Sequence, residues 1–162
     1  MKFLAKAIVL LLLMNGTVAA QPAATIPSFT FYKLNEELFT NKNLDAGKMV
    51  MFVFFDAECD HCQHAIQYLN QNIKQFTRAN IYLVTLDAHE KVNRFMNNYG
   101  NNLRGKKNVL ILQDRQNEFL SKFKPRKYPS LFLYSAKNKL IMYDDNERNL
   151  PGFAKQIDTV VK

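Results

Sequence analysis

The chain has 162 residues, of which 48% are hydrophobic and 22% are charged, and its formal net charge is +8. This length fits one domain, and the composition excludes a disordered, collagen-like or low-complexity protein. The only two cysteines, Cys59 and Cys62, are too few for a disulfide framework, so a hydrophobic core must hold the fold together.

Residues 1–20 have the three-part organisation of a secretory signal peptide. Two lysines flank the start of the segment, an apolar run of eight residues follows at 7–14, and small residues stand at 18–20. The run is too short for a membrane-spanning helix, which takes about 20 apolar residues. The alternative is an uncleaved interfacial anchor. Cleavage would remove two lysines and no acid, lowering the net charge from +8 to +6. We expect a soluble protein exported to the bacterial periplasm, with residues 21–28 as an extended leader.

From residue 29 to residue 162 the chain alternates between short apolar strands and amphipathic helices. The run at 49–55 has seven consecutive apolar residues and predicts a central strand covered on both faces. The other predicted strands lie at 29–33, around Phe39, and at 81–86, 109–112, 130–134 and 140–143. The predicted helices lie at 59–76, 90–99 and 117–123, and a last helix has Pro151 in its first turn. This order predicts an α/β domain with a mixed, mainly parallel central sheet, flanking helices and an N-terminal strand pair.

The candidate reactive motif is Cys59-Asp60-His61-Cys62, which opens the predicted helix after the central strand. The N-terminus of a helix favours negative charge, and the thiolate is the reactive form of cysteine. On a helix, Cys59 lies at the tip beside the apolar stripe, whereas Cys62 lies within the stripe. This placement predicts an accessible nucleophile, Cys59, and a buried resolving thiol, Cys62.

A structural disulfide and a metal site are two other roles that this motif suggests. A disulfide across so short a loop stabilises a fold by only about 2 kcal/mol. A metal site here would use Cys59, His61, Cys62 and His64. On a helix the two histidines point away from the cysteines, so the four cannot converge on one ion. We therefore expect no metal site and favour redox exchange.

A Tyr128-Pro129 dipeptide precedes the strand predicted at 130–134. Together with two earlier segments, it forms a series of motifs that is similar in order to those of a known family. These segments are FVFFDAECDHC, VLILQDRQNEFLSKF and YPSLFLYSAKNKLIMY. On them the chain resembles the thioredoxin superfamily, and within it the exported TlpA/ResA-like (redoxin) thiol–disulfide oxidoreductases, over about residues 30–162. The resemblance implies a thioredoxin-like fold and a cis proline, Pro129, that faces the CxxC motif. It also implies that Tyr128 presents its backbone to an extended substrate segment.

The sequence departs from this family at three positions near the cysteines. Glu58 stands where the family has an aromatic residue, usually Trp. Val53 and Ala65 stand where thioredoxin and the ResA-like proteins, respectively, carry an acid. Proton transfer to and from Cys62 therefore needs another group. The alternatives are Asp56, Glu58, His61 and water.

The direction of electron flow depends on the charges around the motif. His61 matches the histidine in the CxHC motifs of DsbA and protein disulfide isomerase, where a positive imidazole stabilises the thiolate and makes the disulfide more oxidising. The acids Asp56, Glu58 and Asp60 act in the opposite direction. The basic run at 122–127 is either a solvated surface or a part of the site. We favour a reductant.

The expected partners are protein thiols and disulfides and a membrane-side electron donor or acceptor. We expect a monomer without a cofactor. Nucleic acid is not expected, because the lysines are scattered and no aromatic-basic motif is present. The alternative functions are a redox-silent binding module with the thioredoxin fold, a thiol peroxidase and a disulfide oxidase. A TxxC-type peroxidase site is not apparent in the sequence.

Overall fold

The computed structural model describes residues 21–159, so the signal peptide predicted at 1–20 lies outside the described residues. The strands are β1 Thr30–Lys33, β2 Leu38–Thr40, β3 Met49–Phe54, β4 Ala79–Thr85, β5 Val109–Gln113, β6 Ser130–Tyr134 and β7 Leu140–Asp144. The α-helices are α1 Asp60–Asn72, α2 His89–Tyr99 and α3 Leu150–Thr159. Within residues 21–159, none of the helices has the length and apolar character needed to cross a membrane.

The seven strands form one mixed sheet in the order β2-β1-β5-β4-β3-β6-β7. Only the pairings β3–β4 and β4–β5 are parallel, and the other four are antiparallel. The expectation of a mainly parallel sheet was therefore wrong. Short turns join β1 to β2 and β6 to β7, and such connections can only give antiparallel neighbours, whereas a parallel pair needs a long crossover. The predicted N-terminal strand pair is present as β1 and β2.

Helix α1 is shorter than the sequence pattern predicted, since it ends at Asn72 and a 3₁₀ turn, Ile73–Phe76, continues it. The short helix predicted at 117–123 is a π-helical turn, Phe119–Phe123. Its start is fixed by the buried Asp114, whose carboxylate accepts hydrogen bonds from three backbone N–H groups. The rings of Phe119 and Phe123 stack with centroids 4.2 Å apart. This packing places both rings on the sheet.

The side chains of β3 alternate between two buried clusters, because successive side chains of a strand point to opposite faces of the sheet. Met51 and Val53 join the cluster beneath α1, α2 and α3. Phe52 and Phe54 join an aromatic cluster on the other face, which the Phe119–Phe123 turn covers. The central strand is therefore covered on both faces, as its apolar run predicted, and the four residues 55–58 connect its carboxyl end to the CxxC motif.

The segment 21–28, predicted as an extended leader, makes backbone contacts with the rest of the domain. Thr25 forms an isolated antiparallel bridge with Lys139, just before β7. The N–H of Leu140 donates to the carbonyl oxygen of Ala24 at 2.9 Å. The Tyr134 hydroxyl donates to the Ala23 carbonyl oxygen at 3.0 Å. The leader thus lies beside the edge of the sheet.

Candidate active site

The two cysteines lie at the junction between β3 and α1. Cys59 is the N-cap of α1 and has extended backbone angles. The Cys59 carbonyl oxygen accepts hydrogen bonds from the N–H groups of Cys62 and Gln63, at 3.0 and 3.1 Å. Cys59 is partly exposed, Cys62 is fully buried, and both are free thiols. The geometry is that of an outer and an inner thiol at the first turn of a helix.

The inner thiol has an apolar environment. Cys62 belongs to the cluster beneath α1, together with Val53 and Ala65, the two positions where related families carry an acid. Burial raises the pKa of the Cys62 thiol well above its ordinary value. The Asp56 backbone hydrogen bond opposes this shift, whereas the nearby Cys59 and the charge of the Asp56 carboxylate add to it. Cys62 is therefore held as a neutral thiol.

The outer thiol faces the loop before β6. The Sγ atom of Cys59 lies 3.9 Å from the carbonyl oxygen of Tyr128, and the Tyr128–Pro129 peptide bond is cis. The Tyr128 ring packs on Phe54, with centroids 4.8 Å apart, and Pro129 is buried. Burial, followed by the charge of nearby acids, raises the pKa of Tyr128 to about 12, so its hydroxyl stays neutral. The structure thus brings together Cys59, Tyr128 and Pro129, which are far apart in sequence.

Lys91 lies beside Asp56 and Glu58, the acids that precede the motif, and the sequence pattern did not predict this contact. Its ammonium nitrogen is 3.3 Å from the Glu58 carboxylate and 3.9 Å from the Asp56 carboxylate. No lysine or arginine stands between Lys48 and Lys74, so the sequence around the motif did not indicate this cation. Lys91 reaches the two acids from α2 and offsets part of their charge. Glu58 itself is 81% exposed.

Asp87 holds the loop that carries these acids. Its carboxylate lies 2.7 Å from the Lys91 ammonium and accepts hydrogen bonds from the Ala57 N–H at 2.8 Å and the Thr85 hydroxyl at 3.0 Å. Burial disfavours this carboxylate, but the hydrogen bonds outweigh burial and hold the pKa of Asp87 below its ordinary value. A sequence signal for Asp87 existed, because the carboxyl ends of the parallel strands β3 and β4 lie side by side and each is followed by an aspartate.

His61 is held by an acid from a distant part of the chain. Its Nδ1 atom lies 3.0 Å from Oε1 of Glu147, which belongs to a 3₁₀ turn, Glu147–Asn149, before α3. Burial disfavours the Glu147 carboxylate, but the His61 hydrogen bond helps to hold the pKa of Glu147 below its ordinary value. No local pattern signalled Glu147, since 86 residues separate it from His61.

The basic run at 122–127 only borders the site. Lys122 pairs with Glu118. Arg126 and Lys127 both pair with Asp145, at 2.8 and 3.5 Å. Lys127 also lines a groove of about 410 Å³ that has His61 and Tyr128 on its walls. Two acids therefore pair with three of the four cations of the run, and of these cations only Lys127 lines the groove beside the motif.

The amino-acid sequence matches the model of the AhpC/TSA family over residues 22–143. The chain belongs to this family. Its thioredoxin-like fold is consistent with the resemblance to TlpA/ResA-like redoxins. A search of curated proteins finds no match.

Solved structures share the fold at low sequence identity. A secreted Mycobacterium tuberculosis disulfide oxidoreductase homologous to E. coli DsbE is 19% identical, with a TM-score of 0.64 over 79% of this chain and 95% of that one. A putative protein disulfide isomerase from Bacteroides thetaiotaomicron is 18% identical, with a TM-score of 0.68 over 86% and 89%. The peroxidoxin BcpB from M. tuberculosis is 13% identical, with a TM-score of 0.69 over 88% and 98%. These likenesses establish the thioredoxin-like fold.

Proposed function

We propose that the protein is an exported enzyme that exchanges dithiols and disulfides with protein substrates through Cys59 and Cys62. The observation that carries this proposal is the unequal placement of the two thiols. Cys59 is accessible at the helix tip and faces the Tyr128 carbonyl, whereas Cys62 is buried one helical turn further along. Such a pair suits attack by one sulfur and resolution by the other.

The proposed reaction transfers two electrons from the enzyme to the substrate. The Cys59 thiolate attacks one sulfur of a substrate disulfide, which forms a mixed disulfide and releases the other substrate sulfur as a thiolate that takes up a proton. Cys62 then loses its proton and attacks the Cys59 sulfur. The second substrate sulfur leaves and is protonated, so the substrate becomes a dithiol and the enzyme a disulfide. A membrane-side electron donor would return the enzyme to its dithiol form.

The substrate is proposed to bind as an extended segment along the cis-proline loop. The Tyr128 backbone lies beside Cys59, and a main-chain hydrogen bond there would place a substrate sulfur near the nucleophile. The groove between His61 and Tyr128 offers room for neighbouring substrate residues. A protein substrate, rather than a nucleic acid, fits these backbone contacts.

Asp56 is the best-placed group to move the proton of Cys62. The charge of its carboxylate helps to raise the pKa of the Cys62 thiol, and among the candidate groups it is the acid that acts on that thiol. Glu58 is largely exposed and pairs with Lys91, and His61 is bonded to Glu147. Among the alternatives that the sequence left open, we therefore choose Asp56, with water as its relay to solvent.

The proposed direction is that of a reductant. The Glu147 carboxylate lies 3.0 Å from His61 and would offset a positive charge on this imidazole, which would otherwise make the disulfide more oxidising. Lys91 offsets part of the opposing effect of Asp56 and Glu58, while Asp60 adds a further acid at the helix start. The balance of these charges supports a reducing potential. We propose that the enzyme acts as a monomer in the periplasm.

A thiol peroxidase is the second candidate function, because one structural neighbour is a peroxidoxin. The two functions share a nucleophilic cysteine but differ in the group that it attacks. A peroxidase would consume hydrogen peroxide or an organic hydroperoxide and return water or an alcohol. The proposed enzyme would instead consume protein disulfides and leave peroxide largely untouched.

Equilibration of the mature protein with glutathione redox buffers tests this proposal. A reversible two-electron transition of Cys59 and Cys62 at a potential more negative than about −200 mV would support a reductant. A less negative potential would overturn the direction while leaving disulfide exchange in place. The absence of a reversible transition would overturn the exchange function itself. Peroxide consumption by the dithiol form, at a rate above that of disulfide reduction, would favour the peroxidase.

A further inference from the structure

Two histidines and one glutamate form a cluster on the face of α1 opposite to the buried cysteine. Within residues 21–159, the ligand atoms of His61, His64 and Glu147 all lie within 4.8 Å of one another. We propose that this cluster is a binding site for a divalent transition-metal ion, of the class that includes Zn²⁺, Co²⁺, Ni²⁺ and Cu²⁺.

The spacing of the histidines brings them to one side of the helix. His61 and His64 are three residues apart in α1, so their imidazoles lie one turn apart on the same face. Both side chains are exposed, so they can rotate towards an ion without disturbing the core. The buried residues of α1 lie on the other face, which leaves the histidines with no packing role.

The tertiary structure supplies the third ligand. Glu147 comes from the 3₁₀ turn before α3, and its side chain is only 10% exposed. Its Oε1 atom is 3.0 Å from Nδ1 of His61, close to the separation of about 3.3 Å between two ligands of a tetrahedral ion. The 4.8 Å spread of the whole set exceeds that separation, so a rotation of the His64 side chain would close the site.

The chemistry of the three ligands selects the ion. Imidazole nitrogens together with one carboxylate suit borderline ions such as Zn²⁺ and Cu²⁺, whereas Mg²⁺ and Ca²⁺ prefer all-oxygen sites. Neither cysteine belongs to the cluster, so soft thiolate ligands are not part of this proposal. Three protein ligands would leave at least one coordination position for water or another molecule.

The charges around the cluster permit a cation. Arg148 and Lys127 line the adjoining groove, and both oppose a bound cation. Lys127 is offset by Asp145, which lies 3.5 Å away. Glu147 supplies the negative charge at the site itself. A bound ion would lie at the wall of the groove beside the CxxC motif, at the position of the histidine within the motif.

The test uses tag-free mature protein in which Cys59→Ser and Cys62→Ser remove the two thiols. This background separates the cluster from metal binding by the dithiol, and it makes the result independent of the proposed exchange function. Co²⁺ titration followed by visible absorption reports both affinity and coordination. The ligand variants are His61→Ala, His64→Ala and Glu147→Gln. The control is His89→Ala, which removes the only other histidine of the chain.

We expect one Co²⁺ per chain, with absorption bands of a low-coordinate ion and no sulfur charge-transfer band. Each ligand variant should weaken binding by at least about tenfold, and His89→Ala should leave it unchanged. Excess Mg²⁺ should not compete, whereas Zn²⁺ should displace Co²⁺. The proposal is overturned if the parent binds no Co²⁺, if the ligand variants bind as tightly as the parent, or if His89→Ala weakens binding equally.

Discussion

The Cys59 sulfur lies 3.9 Å from the carbonyl oxygen of Tyr128, a residue 69 positions further along the chain. This contact joins the start of α1 to the cis-proline loop. Cys59 stays partly exposed beside this loop, whereas Cys62 is fully buried. The different accessibilities of the two thiols lead to the first prediction.

Substitution of each cysteine should have a different consequence for substrate trapping. Cys62→Ser should accumulate mixed disulfides between Cys59 and substrates, because no resolving thiol is left to release them. Cys59→Ser should accumulate none, since Cys62 is buried. Non-reducing electrophoresis followed by mass spectrometry of the trapped adducts measures both outcomes. Faster alkylation of Cys62 than of Cys59 in the reduced parent would contradict the assignment.

Substitutions at His61 and Glu58 should shift the redox potential in opposite directions. His61→Ala removes a group that favours the thiolate and should lower the potential by about 20 mV, or roughly 1 kcal/mol. Glu58→Gln should raise the potential by a smaller amount, because Glu58 is exposed and already paired with Lys91. The potentials are measured against glutathione in the presence of a chelator. If neither variant differs from the parent, helix geometry and burial set the potential instead.

Asp56→Asn should slow the release of substrate from the mixed disulfide. The amide keeps the shape of the carboxylate and can still accept the Glu58 N–H bond, but it cannot take the proton of Cys62. We expect resolution to slow by at least about tenfold, with little change in the first attack by Cys59. Stopped-flow measurement of the two steps separates them. Glu58→Gln is the matched control. If resolution slows equally in that variant, the loss of a negative charge near the motif, and not proton transfer by Asp56, is the cause.

Asp87→Asn should destabilise the protein in a pH-dependent way. The folded-state pKa of Asp87 lies below its ordinary value of 3.8, so its contribution is complete above that pH and is lost as the pH falls through the folded-state value. We expect a loss of about 1 kcal/mol in the free energy of unfolding at pH 7, after allowance for solvent screening of the Lys91 pair. Urea unfolding at pH 7 and pH 3 should show the parent and the variant converging at the lower pH. If the difference in the free energy of unfolding is the same at both pH values, packing rather than the charge of Asp87 causes the loss of stability.

Export should remove residues 1–20. A basic start, an apolar run and small residues before Gln21 give the expected cleavage pattern. The intact mass of the protein recovered from the periplasm of an expressing bacterium should correspond to a chain that begins at Gln21. A chain that still begins at Met1 would instead support the uncleaved anchor. This result tests only whether the protein is exported, since the thioredoxin-like domain begins after the cleaved segment.

The sequence alone determined the features that depend on local patterns. The apolar run before Cys59 predicted a strand covered on both faces, and the apolar stripe after it predicted the helix that buries Cys62. The apolar pattern changes from that of a buried strand to that of an amphipathic helix at Cys59. This change located the CxxC motif between the two elements. The motif order also predicted the thioredoxin-like fold, although the hairpins at the sheet edges made the sheet less parallel than expected.

Only the tertiary structure decided which charged groups surround the motif. Lys91 comes from α2, and Glu147 comes from the turn before α3. Side-chain ion pairs leave no periodic trace in the sequence, since one charged residue on a surface resembles any other until the chain has folded. The electrostatic balance at Cys59, and the meeting of His61 and His64 with Glu147, therefore follow from the packing of distant elements on α1.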